Sequence, residues 1–176
     1  MIVRELTRDD ARAYQELRLY ALQESPTAFG SSYREEMNRP LDMVEDRLGS
    51  LAVHTFGAFD QEGKLIGMAT LYRDQHINSN HKAFLFGMYV SPEYRGQGVG
   101  KSLMEKVIVQ ARALGLRQIN LSVNNANEAP VGLYESFGFE RYGLEKDAMR
   151  VGEEYYDAAS RTSRPAVAGV VPPQRD

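Results

Sequence analysis

The stretch "YRGQGVGKS" places glycines at every second position, Gly96, Gly98 and Gly100, and follows them with Lys101 and Ser102. It joins a β-type segment, "KAFLFGMYV", to an amphipathic helix. Such a junction is an anion site on physical grounds. The first amides of a helix lack partners and sit at the positive end of its dipole, while glycine lets a backbone approach an anion without a Cβ in the way. Phosphate is the natural ligand. The nucleotide P-loop would need a glycine at position 95, where Arg95 stands. The dinucleotide fingerprint would need one at 101, where Lys101 stands.

The elements that must carry this loop follow from pattern. "IVREL" alternates as a strand, and Thr7 with Asp10 forms a capping box that opens a helix to Glu24. That helix is apolar along Tyr14, Leu17, Ala21 and Leu22. "SPTAFGSSYREEMNRP" reads as a loop or broken helix, and a short helix runs from Pro40 to Leu48. "LAVHTFGAFD" and "KLIGMATLYRD" form a hairpin through "QEG". After the glycines, Val99, Leu103, Val107, Ala111 and Leu114 recur at helical spacing until Gly115. "RQINLSV" is the next strand, "NNANEAPVGLYESFG" a short helix capped by Gly138, and "FERYGLEKDAMRV" a returning strand. The expected class is therefore α/β, a mixed sheet flanked by helices around a central strand–helix–strand unit.

Composition narrows the function. A chain of 176 residues, 43% hydrophobic, is sized for one domain, expected at 1–159, and 160–176 is expected to be a Pro-rich mobile tail. The alternative for "AVAGVV" is an edge strand or a contact with a partner subunit. A net charge of −3 without a clustered Lys/Arg surface argues against nucleic acid. No apolar run is long enough for a membrane span or a signal peptide, so no membrane partner and a cytoplasmic setting are expected. Cysteine is absent, which excludes thiolate catalysis by the protein itself. His76 and His81 flank a polar turn, and no metal site is expected.

The pattern Arg or Gln, two residues, Gly, one residue, then Gly or Ala is met by Arg95, Gly98 and Gly100. About thirty residues on, "NEAPVGLYESFGF" supplies Asn127, Leu133, Tyr134, Gly138 and Phe139. With these two motifs, in this order, the sequence resembles the GNAT superfamily of acetyl-coenzyme A-dependent N-acetyltransferases over roughly residues 2 to 157. The resemblance implies a GNAT fold of six to seven mostly antiparallel strands. It further implies acetyl-CoA as co-substrate, with the amides from Gly96 through Gln97, Gly98, Val99, Gly100, Lys101 and Ser102 around its pyrophosphate and Arg95 in support. Backbone groups of Met88, Tyr89 and Val90 would contact the pantetheine, the Met88 amide facing the thioester carbonyl. Asn127 would bond the pantetheine or cap its helix.

Tyr134 is the expected general acid, protonating the thiolate that leaves when the acetyl group moves to an amine. The alternative is an aromatic packing a short helix. No carboxylate precedes Met88 on its strand, so the base is left open between Glu35, Glu36, Glu93, a water, or an amine that arrives neutral. The acceptor is expected to be a small-molecule, peptide or protein amine, docked between "SPTAFGSSYREE" and the loop before Glu153. Glu35, Glu36, Glu153 and Glu154 suggest a cationic one. A homodimer is compatible with this reading. Segment "AASRTSRP" lacks the apolar final strand of relatives. The rival functions are an acyl-CoA-binding sensor without turnover and, more remotely, a P-loop NTPase.

Overall fold

The computed structural model describes residues 1–165 of the chain. Seven strands form one sheet: β1 (Ile2–Glu5), β2 (Val53–Phe59), β3 (Leu65–Arg73), β4 (Lys82–Val90), β5 (Gln118–Asn124), β6 (Glu140–Val151) and β7 (Glu154–Ser163), in the spatial order β1-β2-β3-β4-β5-β7-β6. Every neighbouring pair is antiparallel except β4 and β5. The parallel pair is joined by the helix that follows the glycines. Parallel neighbours require a crossover of this kind, whereas the flanking hairpins do not.

Five helices cover the two faces: α1 (Ala11–Glu24), α2 (Tyr33–Glu36), α3 (Leu41–Leu48), α4 (Val99–Ala113) and α5 (Glu128–Ser136). One face carries α4, whose Val99, Leu103, Met104, Val107, Ile108 and Ala111 are buried against Ile66, Leu71, Leu85 and Ile119, with Tyr134 of α5 alongside. The other carries α1 and α3, packed through Tyr14, Leu17, Leu22 and Val44 onto Leu65, Met68 and Tyr89. The spacing of apolar residues along α1 and α4 thus matches the faces they bury. At the start of α1, the Asp10 carboxylate accepts the Thr7 amide at 2.8 Å. Among the described residues no helix is long and apolar enough to cross a membrane.

The chain differs from the expected tail at 160–163. Those residues finish β7, which pairs with β5 from Ala158–Asn124 to Ser163–Ile119. The final strand exists, but it is polar. Arg161 is buried because its Nη1 donates to Glu135 at 3.0 Å and to the Phe139 carbonyl at 3.3 Å, and the Ser163 hydroxyl donates to the Phe137 carbonyl. Hydrogen bonding to the end of α5 does there what apolar packing does elsewhere, so no hydrophobic alternation marks the strand. "AVAGVV" lies outside the described residues.

Two features of β4 position the site. First, it pairs with β5 only at Lys82–Gln118, Ala83–Ile119 and Phe84–Asn120, after which the two strands part and leave an open edge on β4. Second, Met68 pairs with Tyr89 and Thr70 with Phe86, so Gly87 and Met88 together oppose Ala69. This bulge holds Gly87 at φ +63°, a left-handed conformation that favours glycine. It resets the alternation: Leu85, Met88 and Val90 pack toward α4, and Tyr89 toward α1.

Candidate active site

The parting of β4 and β5 opens a cavity of about 940 Å³, a size suited to a large ligand. Its walls come from the end of α1 and the following turn, from β4, from the glycine loop and from α5 and β6.

At one end stands the start of α4. Gly98 is its N-cap at φ +83°, and Gly96 lies at +74°. The Ser102 amide already donates to the Gly98 carbonyl at 3.0 Å, so the amides that precede the first helical bond are those of Gly98, Val99, Gly100 and Lys101. The expected phosphate cradle is thereby shortened: Ser102 drops out because its N–H is spent inside the helix. Gln97 is not on the cavity wall either, its side chain donating to the Glu93 carbonyl at 2.8 Å. Gly96, Gly98, Val99, Gly100 and Lys101 do line the cavity. Any side chain at Gly100 would meet Leu133 Cδ2 at 3.1 Å, so the loop and α5 touch through a glycine.

Arg95 lines the cavity but is not a free cation. Its Nη2 and Nη1 lie 2.7 and 3.2 Å from the Glu24 carboxylate, and its Nε donates to the Val90 carbonyl at 3.0 Å. The Arg95 bonds hold the Glu24 carboxyl below the usual range against the opposing effect of burial. Tyr89 donates its hydroxyl to the same carboxylate at 3.0 Å, and burial, followed by that bond, pushes its phenol upward. Arg95 therefore ties the loop to α1.

Met88, Tyr89 and Val90, on the open edge of β4, line the cavity together with Asn127 and Tyr134. The Asn127 side chain makes no cap bond to α5, which leaves it to the cavity. Tyr134 is 6% exposed, with its ring 5.9 Å from that of Phe139. Burial pushes its phenol up, so the group stays protonated throughout the physiological range. Among the described residues its hydroxyl has no hydrogen-bond partner.

The far end is walled by Phe29 and Gly30, by Phe84 and Phe86 of β4, and by Tyr142, Glu145 and Met149 of β6. Of the "SPTAFGSSYREE" segment only residues between Ser25 and Gly30 line the cavity, and from the other expected side β6 itself does so, rather than the loop before Glu153. Glu35, Glu36, Glu93, Glu153 and Glu154 are all away from the wall. Glu35 caps α2 by accepting the Ser32 amide at 2.7 Å, Glu93 approaches Lys64 at 3.8 Å, Glu153 meets Arg150 at 3.2 Å and Glu154 accepts from Tyr156 at 2.5 Å. Glu36 is buried against Arg18. These carboxylates serve structure, and the suggestion of a cationic acceptor loses its basis. Sequence reading missed Arg18 and Glu145, which do line the cavity. Arg18 had a legible signal, a charged residue beside Leu17 on the apolar side of α1. Glu145, on an exposed strand, had none.

Among the described residues no group of three His, Asp or Glu is placed to hold a metal ion. His76 pairs with Asp74 at 2.9 Å in its turn.

Residues 14–139 match the model of the acetyltransferase (GNAT) family. Over 84 residues the chain is 42% identical to the chloroplastic GCN5-related N-acetyltransferase 2 of Arabidopsis thaliana, covering 48% of this chain and 30% of that protein. Over 66 residues it is 35% identical to the ribosomal protein bS18-alanine N-acetyltransferase of Escherichia coli, covering 38% of this chain and 45% of that protein. The chain thus spans less than half the length of these two relatives. In three dimensions it is similar to a putative acetyltransferase from Salmonella typhimurium solved with its cofactor acetyl-CoA, with a TM-score of 0.80, 19% identity, and 99% of each chain covered. At that identity the likeness is one of fold.

Proposed function

Because the chain belongs to the acetyltransferase (GNAT) family, we propose that it moves an acetyl group from acetyl-CoA to a primary amine by direct attack, both substrates being bound together. The observation that carries this reading is the cavity's layout. Among the described residues the first α4 amides precede the helical bonds, the β4 edge beyond Phe84 is open, and a buried, protonated phenol lines the same cavity.

In this reading the amides of Val99, Gly100 and Lys101 hold the pyrophosphate, where the helix dipole adds to their hydrogen bonds. The pantetheine takes the place that β5 vacates beside β4, with Asn127 in reach. The Met88 amide, at the bulge and outside the β3–β4 register, donates to the thioester oxygen as negative charge grows there, an interaction worth about 3 kcal/mol. The amine nitrogen bonds to the acetyl carbon, the C–S bond breaks, and the sulfur leaves with the electron pair. Tyr134 steadies that sulfur by a hydrogen bond and supplies its proton. The proton lost by the amine goes to water, with Glu145 on the wall to receive it.

The E. coli relative's name states an N-terminal alanine acceptor on a ribosomal protein, which supports a primary amine as the acceptor class. The test is thiol release from acetyl-CoA with amino acids, polyamines, aminoglycosides and N-terminal peptides, alongside calorimetric binding of acetyl-CoA. Amine-dependent release supports the transferase. Binding without release on every amine would favour an acyl-CoA sensor, and no binding would refute the phosphate site.

A further inference from the structure

We infer that the acceptor is an α-amino acid with an apolar side chain, its carboxylate held by the Nη1 edge of Arg18; this rests on the transferase reading above. Arg18 is 7% exposed, lies midway along α1 and forms part of the cavity wall. Its guanidinium is locked in place. Nε and Nη2 donate to Glu36 at 3.2 and 3.0 Å, Nη2 also donates to the Ser31 hydroxyl at 2.8 Å, and the group lies 4.6 Å over the Phe29 ring. Among the described residues Nη1 has no hydrogen-bond partner.

That edge faces the β4 bulge, where Nη1 lies 3.6 Å from the point a Cβ would occupy on Gly87. Among the described residues the buried side-chain atoms left without a partner are His54 Nε2 and Arg161 Nε, so Nη1 is open to the cavity rather than sealed in the core. A guanidinium whose other donors are already fixed presents its remaining N–H groups ready-oriented, the arrangement that carboxylates favour. Glu36 balances the charge in the resting protein but sits on the opposite edge, so the field at Nη1 still favours an anion.

Position selects the kind of anion. Nη1 is within roughly 5 Å of the Gly87 Cα, since one C–C bond separates that atom from the Cβ point. Gly87 adjoins Met88, the proposed oxyanion donor. An α-amine lies about 3 Å from its own carboxylate oxygens, so a carboxylate anchored at Arg18 keeps the amine beside β4. A polyamine has no anion for this site, and the distal amine of lysine would be carried past it. Glu145 of β6 also lines the cavity and offers a carboxylate to the ammonium of a zwitterion. Phe29, Phe84, Phe86, Tyr142 and Met149 leave apolar walls for the side chain.

The test compares L-phenylalanine, L-leucine and L-methionine with their amides and decarboxylated amines as acceptors of the wild type, then repeats the pairs with Arg18→Lys. Lysine keeps a charge for Glu36 but cannot also present the free edge. The expected result is a kcat/KM at least tenfold higher for the acids than for their amides and amines. That ratio should fall at least tenfold in Arg18→Lys while its acetyl-CoA Kd stays near wild type, measured at a temperature where the variant is folded. If the amides and amines serve as well as the acids, or only polyamines or peptides are acetylated, this inference is overturned while the transferase reading stands. An unchanged ratio in a folded Arg18→Lys overturns the assignment of Arg18. Release of thiol by no amine at all sinks the transferase reading and this inference with it. The wild-type comparison needs no variant, so a folding failure of Arg18→Lys does not shelter the idea.

Discussion

Arg95 of the glycine loop and Glu24 at the end of α1 form an ion pair of 2.7 Å, placed where a family resemblance would put a phosphate ligand. The pair joins the glycine loop to the end of α1, whose following turn lines the same cavity. A carboxylate next to the proposed pyrophosphate site is unfavourable unless a cation stands between them, a place Arg95 would fill.

Arg95→Ala is expected to weaken acetyl-CoA binding less than tenfold in calorimetry and to change stability by no more than about 1 kcal/mol, because both partners are partly exposed. A loss well beyond tenfold would mean that the guanidinium leaves Glu24 for the phosphates when the co-substrate binds.

Gly98→Ala should weaken acetyl-CoA binding more than Arg95→Ala does. At φ +83° a Cβ is strained by about 1–2 kcal/mol, and relief of that strain turns the free amides of α4 away from their common target. Thermal unfolding would read the strain and calorimetry the loss of affinity. Unchanged affinity would remove the loop from the binding site.

Tyr134→Phe is expected to lower kcat by about a hundredfold with acetyl-CoA affinity and Tm retained, since among the described residues no group bonds to the hydroxyl. Burial raises the phenol above its ordinary value of 10, so its protonated, active form persists as pH rises. The wild-type kcat profile should show no fall attributable to this group below about pH 10. Equal kcat in the variant would leave Tyr134 as a packing residue.

Stability should fall in acid through Glu36. Burial alone would raise its carboxyl, but hydrogen bonds from Arg18 and Ser31 and the Arg18 charge outweigh it and hold the group below its ordinary 4.5. A depressed folded pKa stabilises fully above the unfolded value and is lost as pH drops through the folded one. The wild type should therefore lose Tm below about pH 4.5, and Glu36→Gln, less stable at pH 7, should show a shallower decline. Parallel curves for the two proteins would remove Glu36 from the acid response. Replacing only one partner of a buried pair costs about 3–5 kcal/mol, so the variant should be measured near 10 °C as well.

Much of the fold was legible because local rules set it. The apolar spacing of α4, the Thr7–Asp10 box and the "QEG" turn each express a preference that tertiary packing then satisfied. The polar strand 158–163 was not legible, since its burial depends on Arg161 and Ser163 meeting carbonyls at the end of α5. Carboxylates were misjudged for a related reason. Glu35 and Glu36 are adjacent in sequence, yet one caps a helix in solvent and the other lies buried under Arg18.

The sequence by itself determined the glycine-rich strand-to-helix junction, the family and the presence of Tyr134, because glycine spacing, helix periodicity and motif order are properties of the chain. Only the tertiary structure decided which groups face the cavity. It spent the Ser102 amide and the Arg95 side chain on internal bonds, withdrew five candidate glutamates and brought Arg18 to the bulge at Gly87. Each of these choices is a competition between hydrogen-bond partners far apart in the chain, and it is resolved only when the sheet and helices have set the distances.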